Sequence, residues 1–172
     1  PRIKLDKIGK YYSSKTYWGF DLKKPKVLST SKQKSKIDWK KERIDNYQPL
    51  YKRIFSLKVK GKILDVGCGL GLFLSEFKER GWKTVGTETS KEVAKFAKDT
   101  FAVDVKVGDL LKLNLLKNYF DVITFSGVFE HIYDPSKTLK KVRNLLKKDG
   151  ILIIVTPNLD SLGHLFFNKR WV

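Results

Sequence analysis

The segment Lys62-Ile63-Leu64-Asp65-Val66-Gly67-Cys68-Gly69-Leu70-Gly71 constrains this chain more than any other. A short run of β-forming residues meets an acid, three glycines follow at alternate positions, and a helical pattern begins directly behind them. A strand that turns sharply into a helix leaves the first backbone N–H groups of that helix unpaired, facing whatever sits above the strand end. Glycine lets the backbone approach such a ligand closely. The spacing is G-x-G-x-G through Gly67, Gly69 and Gly71, with Asp65 two residues ahead. A dinucleotide fingerprint would carry its third glycine at position 72, where Leu72 stands. A carboxylate beside the loop also disfavours a pyrophosphate, which it would repel.

The rest of the chain supplies the layers such a loop needs. Strands are predicted at Lys62–Val66, Thr84–Glu88, Val105–Gly108, Val122–Ser126 and Ile151–Thr156, and helices at Leu70–Arg80, Lys91–Lys98 and Ser136–Lys147. Phe73, Leu74 and Phe77 form the apolar face of the first helix, which Gly81 ends. Thr89 to Glu92 reads as a T-x-x-E capping box opening the second. Leu139, Val142, Leu145 and Leu146 line the third, and Gly150 follows it. Strands rich in Val, Ile and Leu, alternating with helices or crossover segments, specify an α/β fold with a mostly parallel sheet buried on both faces.

Ahead of this lies a different kind of sequence. Ile37 to about Phe55 reads as a helix through Ile44, Tyr47, Leu50, Tyr51 and Ile54, with Pro49 expected to kink or interrupt it. Residues 11–20 form an aromatic cluster, read either as a flap over a ligand or as an anchor onto the domain. The Ser- and Lys-rich stretch 23–36 reads as a loop or arm. We divide the chain into a basic arm and helix at 1–57, on the lid or substrate side, and a ligand-binding domain at 58–172.

Charge follows the same division. Residues 1–60 carry 18 Lys and Arg against 5 Asp and Glu, while residues 61–172 carry 18 against 13, so most of the +18 net charge precedes the glycine loop. Such an arm fits nucleic acid or an anionic surface, but Lys outnumbers Arg 30 to 6, and phosphate recognition favours the Arg fork. A solvated lysine-rich surface is the plainer reading, and nucleic acid is not favoured. No apolar run is long enough to span a bilayer. A lone cysteine, Cys68, precludes an internal disulfide, and a cytoplasmic location is expected. No Cys/His cluster points to a metal.

In an open α/β sheet, ligands bind beyond the carboxyl ends of the strands. Four such ends carry chemistry here. The first offers Asp65, Gly67, Cys68, Gly69 and Gly71. The second offers Glu88 and then Thr89, with Glu88 placed 21 residues after Gly67, a spacing suited to a carboxylate that accepts ribose hydroxyls. The third leads to Asp109 and Leu110. The fourth ends at Ser126, followed by Gly127, Val128, Glu130 and His131. Cys68 lacks a base in sequence to activate it and reads as packing.

This ordered set resembles the class I S-adenosylmethionine-dependent methyltransferases, from about Gly61 to about Trp171. The resemblance implies a Rossmann-like, doubly wound sheet of order 3-2-1-4-5 with helices on both faces. It implies that Asp65 and the glycines cradle the methionine part, that Glu88 binds the ribose with Thr89 beside it, and that Asp109 accepts from the adenine amino group with Leu110 against the ring. Ser126 would line the same site. Phe120-Asp121-Val122-Ile123 is similar to the family's fourth strand, Glu130-His131-Ile132 to the E-H-[LIV] of small-molecule members, and Asp149-Gly150-Ile151-Leu152 to the entry of the fifth. Thr156-Pro157-Asn158, Ser161 and Asn168-Lys169-Arg170-Trp171 are similar to one branch of mostly small-molecule enzymes. The family's sheet continues into two further strands. About 16 residues follow Thr156, so those strands are expected to be missing and the piece to be C-terminally incomplete.

The function implied is methyl transfer from S-adenosyl-L-methionine to a small-molecule acceptor, oxygen favoured, yielding S-adenosyl-L-homocysteine. His131 is the candidate base for a hydroxyl acceptor, with Glu130 the alternate; the plainer role for His131 is to support the turn after the fourth strand. Two other readings stand beside it. One is an RNA methyltransferase using the basic arm, although no N/D-P-P-Y/F signature follows the fourth strand, where Ser126-Gly127-Val128-Phe129 stands. The other is a non-catalytic cofactor-binding domain.

Overall fold

The structure, a computed structural model, describes residues 39–58 and 60–158, with side chains from residue 44 onward. The aromatic cluster at 11–20, the polar stretch 23–36 and the motif residues beyond 158 lie outside the described residues. The elements run α1 (Trp39–Leu57), β1 (Lys62–Val66), α2 (Leu72–Glu79), β2 (Lys83–Glu88), α3 (Lys91–Phe101), β3 (Asp104–Val107), β4 (Phe120–Ser126), one 3-10 turn (Phe129–His131), α4 (Pro135–Leu145) and β5 (Leu146–Val155).

The five strands form one sheet of order β3-β2-β1-β4-β5, and every pairing is parallel. Reversal of strand order between β1 and β4 opens a crevice above their carboxyl ends, where neighbouring loops diverge to opposite faces. Ile63, Val105 and Val122 point to the face covered by α1 and α2, packing with Tyr51, Ile54, Phe73, Leu74, Phe77 and Trp82. Leu64, Val66, Ile123 and Phe125 point to the other face, against Val142 and Leu145 of α4. Two apolar layers on one sheet are why β1 and β4 read as nearly continuous hydrophobic runs rather than as alternating ones.

Pro49 lies inside α1 without ending it. The amide it lacks would have served the carbonyl of Asp45, and both residues are exposed, so water can take that acceptor. On the opposite side of the helix Tyr51 stacks on Phe73 at 5.2 Å and donates its hydroxyl to the Phe73 carbonyl at 3.3 Å. Burial, and then the nearby Glu76, push the Tyr51 phenol well above its ordinary range, so it stays a neutral donor.

Three local expectations are corrected. The N-cap of α3 is Ser90, not Thr89: the Ser90 Oγ accepts from the Val93 amide at 3.2 Å, while the Thr89 hydroxyl donates instead to Glu88. Helix α4 stops at Leu145, two residues early, and β5 starts at once, because Leu146 pairs with Phe120 and buries its side chain in the α4-side core. Gly150 therefore lies within β5 rather than between the helix and a strand that starts at Ile151. A Cβ there would meet the Phe120 carbonyl at 3.0 Å, and the glycine sits where the register slips between Leu146↔Phe120 and Ile151↔Val122. Leu139, expected on the buried face of α4, is 39% exposed; Thr138 takes that place. Gly81 ends α2 as expected, in a Schellman arrangement: its amide donates to Lys78 and the Trp82 amide to Phe77.

Two ties hold the sheet to its surroundings. Asp121 accepts from the Lys62 amide at 2.8 Å and from Lys147 Nζ at 2.7 Å. Partial burial works against ionisation there, but the Lys147 and Lys62 contacts outweigh it and hold the carboxyl below its usual range. Lys141 of α4 donates to the Leu113 carbonyl at 2.7 Å and reaches that of Leu111 at 3.5 Å, fixing the β3–β4 connection over the helix.

Candidate functional site

Above the carboxyl ends of β1, β2 and β4 the loops enclose a cavity of about 420 Å³, within the roughly 300–1,000 Å³ typical of small-ligand sites. Its wall gathers Asp65, Gly67, Cys68, Gly69, Glu88, Thr89, Asp109, Leu110, Ser126 and His131 from segments far apart in sequence.

The glycine loop is built from backbone bonds. The amides of Gly67 and Cys68 both donate to the Thr87 carbonyl, at 2.8 and 2.9 Å, tying the loop to the end of β2. Gly71 is the N-cap of α2 with φ +78°, and a Cβ there would lie 2.8 Å from both Ala97 Cβ and Val103 Cγ2. Gly67 has φ +72°, and its Cβ would meet Val128 Cγ2 at 2.6 Å. At these two positions both the backbone and the neighbours require glycine. No side chain caps α2, which leaves its first amides for a ligand.

Glu88 is buried and already busy. One carboxylate oxygen accepts from the Ser90 amide at 2.8 Å and the Thr89 hydroxyl at 3.3 Å; the other accepts from the Gly69 amide at 3.2 Å. Burial raises its pKa, and these donors oppose the rise. The first oxygen has both lone-pair directions taken and the second has one left, so the group can accept from a ligand hydroxyl through that second oxygen while it fixes the loop. Asp65 is likewise buried. Its Oδ1 accepts from the Thr124 hydroxyl at 2.7 Å. Desolvation lifts its pKa to about 7, with the Thr124 bond opposing and the Glu88 charge adding to the rise. Asp109 accepts from the Leu111 amide at 2.8 Å through one oxygen, and Leu110 is buried beneath it.

Cys68 lines the cavity, but its sulfur is turned towards β2, where a Cβ on Gly86 would approach it to 2.4 Å. Burial, then the charges of Asp65 and Glu88, push its thiol far above the ordinary range, which suits packing and not nucleophilic attack. His131 is exposed on the 3-10 turn and reaches the cavity wall. Glu130 is not among the lining residues; it accepts from the Thr156 hydroxyl at 3.3 Å at the end of β5.

Several residues that shape the site were not singled out in the sequence as site residues. Thr124 is 59 residues from Asp65, and only the β1–β4 register makes them partners. On the wall itself, Tyr47, read in sequence only as part of the α1 apolar face, comes from α1, Tyr133 lies just ahead of α4, and Lys137 and Thr138 lie in its first turn; nothing in their spacing marks them as site residues. Gly86 did carry a signal, as a glycine inside a strand.

The donor set decides what can bind. Two buried carboxylates face the cavity beside the glycine loop, and the wall's lysine, Lys137, is paired with Asp134 at 3.2 Å. Such a site suits a ligand with positive charge and hydroxyls and would repel a pyrophosphate. S-adenosylmethionine, with its ammonium, sulfonium and ribose, fits these residues.

Comparison with known proteins agrees. Residues 39–171 match the methyltransferase domain family. A ubiquinone biosynthesis O-methyltransferase from Pelagibacter ubique is 38% identical over 112 residues, covering 61% of this chain and 45% of that protein. One from Glaesserella parasuis is 30% identical over 114 residues, covering 60% and 48%. The chain thus spans about half the length of the curated relatives it matches. Among solved structures, a SAM-dependent methyltransferase from Archaeoglobus fulgidus superposes with a TM-score of 0.61 at 28% identity, covering 73% of this chain and 57% of that one. The PH0226 protein from Pyrococcus horikoshii OT3 gives 0.61 at 29%, covering 71% and 56%. The chain belongs to the methyltransferase domain family, and its cofactor is S-adenosylmethionine.

Proposed function

We propose that this chain forms the donor half of a methyltransferase acting on the hydroxyl of a small-molecule acceptor. The observation that carries this reading is the convergence of Asp65, Glu88 and Asp109 with His131 in one cavity. The relatives named for O-methylation in ubiquinone biosynthesis support oxygen as the acceptor atom. The cofactor brings an activated methyl group. Asp65 would hold its ammonium, Glu88 its ribose hydroxyls and Asp109 its adenine, so the chain's part is chiefly alignment, which can be worth several kcal/mol. His131, whose imidazole has no hydrogen-bond partner among the described residues, takes the proton that leaves the acceptor hydroxyl. Glu130 ties the turn beneath it to Thr156.

Calorimetry with S-adenosylhomocysteine tests the site. Loss of charged hydrogen bonds at about 1.5–3 kcal/mol each predicts at least ~10-fold weaker binding by Glu88→Ala. Wild-type affinity in that variant would remove Glu88 from the site. Methyl transfer to a panel of phenols and alcohols then tests the base. His131→Ala should lower kcat by about 10²–10⁴ while leaving homocysteine-adduct binding intact, and an unchanged kcat across pH would exclude the role.

A further inference from the structure

We propose that Thr124, in the middle of β4, is a positioning residue for cofactor binding: its hydroxyl anchors one oxygen of the Asp65 carboxyl and leaves the other for the cavity. The inference rests on the cofactor site described above and adds to it a residue outside the cavity wall.

The register of the sheet makes the pairing. Asp65 and Thr124 are directly opposed partners in the parallel β1–β4 ladder, so their side chains leave the same face. Thr124 is fully buried, and Asp65 retains 4% exposure. The hydroxyl donates to Asp65 Oδ1 at 2.7 Å, with the Leu64 carbonyl a more distant acceptor at 3.4 Å. The second Asp65 oxygen accepts no hydrogen bond among the described residues, yet Asp65 lines the cavity. That oxygen is the one left for a ligand.

Among the described residues, no cation is paired with this carboxylate. The titratable groups around it are Glu88 from β2, the Cys68 thiol from the loop and the Tyr51 phenol from α1, with Asp109 and His131 farther along the same wall. Glu88 carries like charge. Burial disfavours the ionised form of Asp65, and Thr124 supplies its one hydrogen bond. With that bond present the carboxyl titrates at about 7. Without it the neutral acid persists to higher pH, and a neutral acid attracts no ammonium. A serine keeps the hydroxyl. A valine keeps the shape and loses the donor.

The experiment is a pH series from 6 to 9 of S-adenosylhomocysteine affinity for the wild-type chain, Thr124→Val and Thr124→Ser. In parallel, the Asp65 carboxyl is followed in the ligand-free proteins by carbon-13 NMR, assigned with Asp65→Asn. The ligand's own ammonium titrates alike in all three, so the ratio of Kd values isolates the protein. Since a pKa rise of one is a tenfold change, Thr124→Val should bind about 3- to 10-fold more weakly at pH 6, approach wild type by pH 9, and show a higher carboxyl midpoint. Thr124→Ser should follow wild type. A ratio near one at every pH overturns the proposal, as does a loss in Thr124→Val that does not recover at high pH, which would mark a merely structural residue. A wild-type chain that fails to bind the adduct at any pH sinks the cofactor reading, and the proposal with it; the carboxyl titration separates that outcome from a failure of the Thr124 bond alone.

Discussion

Replacing Gly71 by alanine should cost much more than the loss of one flexible residue, and the structure says how much. Gly71 has φ +78°, where an L side chain costs about 1–2 kcal/mol. Its added methyl would lie 2.8 Å from Ala97 Cβ and from Val103 Cγ2, residues 0% and 2% exposed on packed elements that have nowhere to retreat. Overpacking of that kind costs a further ~1–3 kcal/mol. Stiffening of the unfolded chain returns about 0.4–1 kcal/mol, leaving a loss of about 2–4 kcal/mol. Gly81 provides the control. Its φ is +76°, but a methyl there meets the end of the Lys60 side chain at 3.1 Å, which can swing aside. Gly81→Ala should therefore cost about 1 kcal/mol from strain alone. Urea denaturation followed by circular dichroism reads the difference as midpoints at unchanged slope, with Gly71→Ala falling by about 1–2 M for a slope near ~2 kcal/mol/M. Equal midpoints for the two variants would refute the packing contribution and reduce the glycine requirement to backbone geometry.

Two further outcomes follow from the buried acids. Asp65 titrates at about 7 in the ligand-free fold against 3.8 ordinarily, so the native state holds a proton that the unfolded chain has released between these values. Stability from this group is greatest below pH ~4 and declines as pH rises towards 7. Asp65→Asn should accordingly stabilise the ligand-free protein at pH 8, by at most about 4 kcal/mol, while impairing cofactor binding; a lower melting temperature in that variant would contradict the assignment. Cys68 should resist thiol reagents in the native protein and react fully only in denaturant, and rapid native labelling would contradict its packed placement.

The parallel sheet and the ligand side of the domain were legible because period and punctuation are local. Ile63, Leu64 and Val66 before three spaced glycines leave little choice of structure, and Gly81 ends its helix by chemistry confined to six residues. The place of Glu88 and Asp109 on the cavity wall followed from the rule that strand ends border the crevice. What escaped was set by distance or by competition. Thr124 belongs to the site only through register. Ser90 displaced Thr89 as a cap because Glu88 claimed the threonine hydroxyl, a contest between adjacent side chains that spacing cannot settle. Leu146 carries the residue type of a helix face, and tertiary pairing with Phe120 drew it into a strand. Leu139 has the right spacing for burial, but α4 turns Thr138 inward beside the cavity.

The contact between Cys68 and Gly86 bears on how this site can be altered. The sulfur of the loop residue occupies the volume that a methyl on β2 would need. The two positions share one allotment of space between neighbouring crossovers, so neither is free to change by itself. Any redesign that enlarges position 86 must shrink position 68 in the same step, and a survey of tolerated sequences would find their sizes anticorrelated. The glycine loop is thus spelled in two places: in the three glycines themselves, and in a fourth on the adjacent strand that gives the cysteine between them room to turn inward.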